Sequence, residues 1–358
     1  MAGKTLVVFD EIQESPNGIS TLKYFCEDAR DQHVIVAGSL LGVVHHPGES
    51  YPVGKVDILR LHPMSFKEFL WASGHDQLAD ALANCEWDML EGVKTKLEDL
   101  LRQYYFVGGM PEVVLNWCSK QDVFSIRRLQ KRIIDSYAND ISKHSGAESE
   151  RIRMVWNSIP SQLAKENKKF IYGAVRKGGR AKDFEVAIQW LVDAGLVHKI
   201  YRCKSPEMPL KFYVDFDSFK LYLLDVGLLG ALSGATPAQM MINNDVFKEF
   251  KGVSAENYVL QQLMLNEETV VGYYSKENSR VEIDFLVQTN RRVIPIEVKA
   301  EENVKSKSLR QFVTIDHADK GLKGLRCSML PYQDQCWMEN IPLYSIKALI
   351  DKQNEIQI

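Results

Sequence analysis

Two short apolar runs near the start of the chain, LVVF from Leu6 and VIVA from Val34, are separated by one amphipathic stretch, GISTLKYFCEDARD. Neither run alternates with polar residues. Such strands need cover on both faces, which parallel strands joined by helices receive. The N-terminal region therefore reads as α/β. The first run ends in Asp10 and Glu11, and the second leads to Ser39. Ligands of open α/β sheets bind at the carboxyl ends of the strands. An acid pair at such a tip suits a nucleotide hydrolase. Asp10 would hold Mg²⁺, usually through water, Glu11 would polarise the attacking water, and Ser39 would sense the γ-phosphate.

A phosphate cradle is harder to find. A P-loop needs Gly, four residues, then Gly-Lys-Ser/Thr, so that backbone N–H groups wrap the phosphates. AGKT at Ala2–Thr5 imitates only the tail of that motif and runs straight into the acidic strand. Gly54-Lys55-Val56 lacks the hydroxyl residue, and Glu49 stands where the first glycine belongs. Weak ATP binding is the expectation for this chain.

At 358 residues the chain has room for two or three domains. Its net charge of −3 excludes a globally basic nucleic-acid binder, so any such contact must use a local patch. The six cysteines contain no CxxC, and His45-His46 has no further ligand at metal spacing, which argues against zinc or a disulfide framework. Apolar stretches such as Val34–Val44 and Leu221–Leu232 fall short of the ~20 residues a membrane helix requires. A cytoplasmic protein with no membrane partner is expected.

Further along, KVDILRLHPMS reads as a strand and turn, and SFKEFLWAS as a helix with a Ser65/Glu68 capping box. Residues 81–150 are helical in pattern. Residues 151–235 give helix, helix, strand and a following wing, the order of a winged helix; the second helix carries Lys182, Asp183 and Glu185 and lacks the basic stripe of a DNA reader. Beyond residue 236 the pattern returns to α/β, with the helix SAENYVLQQLMLN, the strands VVGYYS, VEIDFLVQT and VIPIEVKA, the helix SKSLRQFVTI, the strand RCSMLPY and the closing strand–helix IPLYSIKALI.

The stretch VEIDFLVQTNRRVIPIEVKA carries Asp284 and then Glu297-x-Lys299. Alternate strand residues share a face, so Glu297 and Lys299 point the same way. One acid on each strand of a hairpin can share a divalent metal, with Lys299 orienting water or steadying phosphate charge. Glu256, on the preceding helix, can complete the ligand set. Oxygen ligands favour Mg²⁺ or Mn²⁺. The alternative is an amphipathic hairpin with solvent-facing charges.

Taken in order, LVVFDEIQESP, VIVAGSLLG, LHPMSFKEFL, YFVGGMPEVV, IQWLVDAGLVHKI, LYLLDVGLLGAL and EIDFLVQTNRRVIPIEVKA resemble successive blocks of the prokaryotic AAA-like ATP-binding proteins. Those proteins carry a C-terminal domain of unknown function with a restriction-endonuclease-like fold. The resemblance implies a multidomain α/β chain: a partial P-loop AAA-like core with a parallel sheet at 1–80, a helical lid at 81–150, a winged helix at 151–235 and the nuclease-like domain at 236–358. Asp10 and Glu11 take the Walker B positions, Ser39 the sensor position, and Glu256, Asp284, Glu297 and Lys299 the nuclease-like motif. The family's first strand and Walker A loop have no counterpart, which reads as N-terminal truncation. Gly54-Lys55 stands where Gly-Arg is expected, leaving Arg60 as the candidate arginine finger. The expected function is an ATP-binding protein with defective turnover whose C-terminal domain engages DNA or RNA, with a homo-oligomer left open. The alternatives are a Mg²⁺-dependent nuclease independent of ATP, and a non-catalytic nucleic-acid-binding or interaction protein.

Overall fold

The computed structural model describes residues 3–38, 54–237, 248–266, 268–276, 279–300 and 305–354. At the N-terminus, β1 (Leu6–Phe9), α1 (Gly18–Asp28) and β2 (His33–Val36) form a strand–helix–strand unit. The strands pair in parallel from Leu6 with His33 to Phe9 with Val36. Helix α1 covers one face, where the rings of Phe9 and Phe25 lie 5.9 Å apart. On the other face Leu6, Val8 and Ile35 remain more than half exposed, so the two-sided cover expected of these strands is not met among the described residues. Ser39 and His45-His46 lie outside the described residues.

The strand expected over KVDILRLHPMS is absent from described residues 54–65. Leu59 and Leu61 are each 93% exposed there, and no strand pairs with them among the described residues. Asp57, Arg60 and the His62-Pro63 step interrupt the pattern, and proline removes a ladder donor. The capping box that follows forms as read. Ser65 accepts from the Glu68 N–H at 3.1 Å, and Glu68 accepts from the Ser65 N–H at 2.7 Å.

A helical block comes next: α2 (Phe66–Ala72), α3 (Asp76–Asn84), α4 (Trp87–Gly92), α5 (Lys94–Val107), α6 (Pro111–Lys120) and α7 (Val123–His144). Pro111 opens α6 at a position where its missing N–H costs nothing. Asp122 caps α7 by accepting from the Phe124 and Ser125 N–H groups.

Helices α8 (Ser149–Leu163), α9 (Tyr172–Val175) and α10 (Ala181–Asp193) precede the antiparallel pair β3 (Val197–Cys203) and β4 (Val214–Leu223). Gly195, at φ +71°, makes the left-handed turn that ends α10 and starts β3. After α11 (Val226–Leu232) and α12 (Lys248–Leu263) come β5 (Val270–Ser275), β6 (Glu282–Gln288) and β7 (Val293–Val298). The chain ends with α13 (Lys307–Gln311), which continues into a π-helical turn, then β8 (Gly324–Ser328), β9 (Gln333–Asp334), β10 (Met338–Pro342) and α14 (Ile346–Asn354).

The strands from β3 onward form one eight-stranded mixed sheet in the order β4-β3-β5-β6-β7-β8-β10-β9. Strand β3 lies parallel to β5 through Arg202 and Tyr273. The hairpin expected to be a wing is therefore the edge of the C-terminal sheet, which runs across the boundary between residues 235 and 236.

A buried polar junction ties these parts together. Asp225 caps α11 by accepting from Leu228 N–H at 2.9 Å. It also accepts from Gly109 N–H at 2.6 Å and Gln261 Nε2 at 3.2 Å. Tyr104 Oη donates to the Met64 carbonyl, and Gln262 Oε1 accepts from Phe66 N–H at 3.1 Å. The Gly108-Gly109 pair is required by this closeness: a Cβ on Gly109 would stand 2.2 Å from the Met64 carbonyl oxygen, and one on Gly108 would stand 2.2 Å from the Asp225 carboxylate.

Candidate functional site

Strand β1 delivers Asp10 and Glu11 to its carboxyl tip, both solvent-exposed. The turn after the strand is fixed by backbone bonds. Ala37 N–H donates to the Phe9 carbonyl at 2.8 Å, and Ile12 N–H to the Ala37 carbonyl at 3.1 Å. Asp10 Oδ1 accepts from the Glu11 N–H at 3.1 Å. Glu11 is held at φ +49°, left-handed and unfavourable for a residue with a side chain. Asp10 and Glu11 line a cleft of about 320 Å³ together with Phe9, Gly18, Thr21 and Phe25. Next in the chain, Glu14 pairs with Lys143 of α7 at 2.7 Å, linking this unit to the helical block.

In the C-terminal sheet, the candidate residues divide into two groups. Gly272 of β5 pairs with Leu286 of β6, and Tyr274 pairs with Ile283. Asp284 and Phe285 together therefore oppose the single residue Tyr273, which is a β-bulge. A bulge re-aims its side chains. Here Asp284 joins Glu256 of α12, while its Oδ2 accepts from Val298 N–H at 2.7 Å.

Two lysines meet these acids. Lys168, from the loop before α9, pairs with Glu256 Oε1, and Tyr222 Oη donates to Glu256 Oε2 at 3.3 Å. Lys220 of β4, fully buried, pairs with Glu282 at 2.5 Å and lies 4.6 Å over the Tyr273 ring. Burial alone would lower the Lys220 ammonium, but Glu282, Glu256 and Asp284 together hold it above its ordinary value. Burial likewise opposes ionisation of Glu256, yet Lys168 and Lys220 keep its carboxyl below the usual range. Asp284 takes the opposite course. Burial, reinforced by the neighbouring Glu256 charge, pushes its carboxyl up to about 7. Three carboxyl groups thus share two ammoniums, and of the neighbouring pair Glu256 and Asp284 it is Asp284 that keeps its proton more readily.

Glu297 and Lys299 form the second group. Ile296 and Val298 pack into the large core with α12, so Glu297 between them points to the other face of β7. Glu297 Oε1 lies 3.2 Å from Lys299 Nζ, as the i, i+2 spacing predicts. Its Oε2 is buried and accepts no hydrogen bond from the described residues. Across the strand pair stands Arg326, whose Nε donates to Asn340 Oδ1 at 2.8 Å.

The structure therefore joins Glu256 with Asp284, and Glu297 with Lys299, but does not gather the three acids into one ligand set. Among the described residues, no three His, Cys, Asp or Glu side chains are placed to hold a metal ion. Glu256 and Asp284 already face ammonium groups, so these residues as arranged do not fit Mg²⁺. Lys168 and Lys220 escaped the sequence reading. A signal for Lys220 exists, since it interrupts the apolar run around FKLYLL, and a charge in such a run demands a buried counter-charge. Lys168 has no comparable signal, because it lies in a polar loop.

Comparison with protein families gives three consecutive matches. Residues 1–70 match an AAA domain, residues 98–239 a domain of unknown function, DUF8612, and residues 251–347 another, DUF4143. The first match supports an AAA-like, ATPase-type domain around Asp10 and Glu11. Neither the curated proteins nor the solved structures contain a match to the chain. Among the described residues no helix is long and apolar enough to cross a membrane.

Proposed function

We propose that these residues form an AAA-type nucleotide module joined to a restriction-endonuclease-like scaffold that does not itself cut nucleic acid. The nucleotide half rests on the AAA-domain match and on the strained tip carrying Asp10 and Glu11. Asp10 is assigned to Mg²⁺ and Glu11 to water. The sequence contains no Gly-x₄-Gly-Lys-Ser/Thr, so weak ATP binding by these residues remains the expectation.

The observation that carries the C-terminal half is the pairing of Glu256 with Lys168 and of Glu282 with Lys220. The ammoniums supply the positive charge that a divalent cation would bring. One observation favours an active Mg²⁺-dependent nuclease instead: Glu297 Oε2, beside Lys299, is buried without a hydrogen bond among the described residues. Plasmid DNA incubated with the protein and Mg²⁺ or Mn²⁺ separates the two. The scaffold reading expects intact plasmid with the wild type, with Asp284→Ala and with Lys299→Ala. Cutting by the wild type that both substitutions abolish would establish the nuclease and overturn the scaffold.

A further inference from the structure

Residues 165–182 contain seven lysines or arginines against one acid, Glu166, in a chain whose net charge is −3. Lys168 and Lys169 are turned to internal partners, Glu256 and Ser218. Arg176, Lys177, Arg180 and Lys182 are exposed, and no ion pair engages them among the described residues. They flank the turn at Gly178, whose φ of +79° lets the loop reverse between α9 and α10.

Helix α9, which leads into this loop, places Tyr172 against an aromatic band on the β3–β4 hairpin. The Tyr172 ring lies 6.1 Å from Phe219, Phe219 lies 6.2 Å from Tyr201, and Tyr201 lies 5.3 Å from Phe216. Lys199 Nζ sits 4.9 Å from the Tyr201 ring and 4.4 Å from the Phe219 ring. Phe216, at the outer end, is 72% exposed. An aromatic ring left in water at the edge of a packed band has a free face for stacking. The acids of this region are exposed Glu166, Glu185 and Asp217 and half-buried Asp183, which is occupied by the Arg180 N–H; the exposed acids number three against the four exposed cations of residues 176–182.

We propose that the 176–182 loop and the Phe216 ring form a binding surface for single-stranded nucleic acid. The loop cations follow the phosphates, and Phe216 stacks a base. Stacking on an exposed ring beside a cationic track is how strands are bound without regard to sequence, and a duplex offers no unstacked base to such a ring. This surface is separate from the Glu256–Asp284 cluster and needs no metal, so it stands or falls independently of the scaffold reading.

The test is fluorescence anisotropy of a labelled dT20 oligonucleotide with the full chain in EDTA, over a range of salt concentrations. K177E/R180E/K182E is expected to weaken binding more than tenfold and to flatten the log–log salt slope by about 2, since each lost phosphate contact on a single strand contributes about 0.7. Phe216→Ala is expected to weaken binding about fivefold or more while leaving the slope unchanged. All four positions are exposed, and matching melting curves would show that the variants fold. Unchanged affinity in the triple variant would overturn the surface. Equal affinity for a 20-base-pair duplex, with no effect of Phe216→Ala, would overturn the single-strand assignment.

Discussion

Lys220→Met is expected to destabilise the protein by about 3–5 kcal/mol near pH 8, the cost of leaving buried carboxylates without their cation. Methionine keeps the length and apolar stem of the side chain, so packing loss contributes little. What disappears is the ammonium that pairs with Glu282 and offsets the charges of Glu256 and Asp284. The loss should shrink as pH falls, because carboxyl groups then meet their burial by taking up protons. Asp284 sets the window. Its folded value of about 7 lies above its ordinary value of 3.8, chiefly because of burial. A carboxyl with a raised value favours the fold fully below the unfolded value and loses that contribution as pH rises through the folded one. Asp284→Asn should therefore stabilise the protein at pH 8, by about 2–4 kcal/mol from the size of such a shift, and change little near pH 4. In the Lys220→Met background it should recover part of the loss. Urea unfolding at pH 4.5, 6 and 8 measures all three. An equal loss for Lys220→Met at every pH would mean that packing, not charge, holds the cluster.

Asp225→Ala is expected to cost about 4 kcal/mol or more. The buried carboxylate accepts from Gly109 N–H, Leu228 N–H and Gln261 Nε2, and burial pushes its carboxyl above the usual range. Alanine would strand three buried donors, each worth about 1–3 kcal/mol when unsatisfied. The effects will not add in full, because the donors share one pocket. Asp225→Asn keeps one side-chain oxygen as an acceptor and should lose roughly half as much. Because the junction also holds Tyr104 and Gln262, and Gln261 Oε1 accepts from Val226 N–H at 3.0 Å, the damage should reach α2 and α11 together. Hydrogen exchange is expected to show the Phe66 and Val226 amides losing protection in step. Loss confined to the Val226 side would show that the junction is a local cap only.

Much of the architecture is legible in the residues. Strands β5, β6 and β7 follow from apolar runs bounded by polar turns, and the Glu297–Lys299 contact follows from the two-residue period of a strand. The Ser65 capping box is purely local, and local chemistry suffices to find it. Other features depend on partners far along the chain. Asp284 sits on a bulge, and no one-strand pattern reveals that an extra residue will turn an acid toward α12. Lys168 reaches Glu256 across 88 positions of sequence, from a loop whose composition gives no sign of it. KVDILRLHPMS is not a strand, because apolar content alone does not make one and no strand pairs with it among the described residues.

The role of the ammoniums is tested most directly by calorimetric titration of Mn²⁺ into the wild type at pH 7.5, beside Asp284→Asn and Glu256→Gln. With Lys168 and Lys220 already neutralising the acids, no saturable binding is expected up to about 1 mM metal, equivalent to no affinity beyond roughly −4 kcal/mol. One-to-one micromolar binding by the wild type, lost in both variants, would contradict the account.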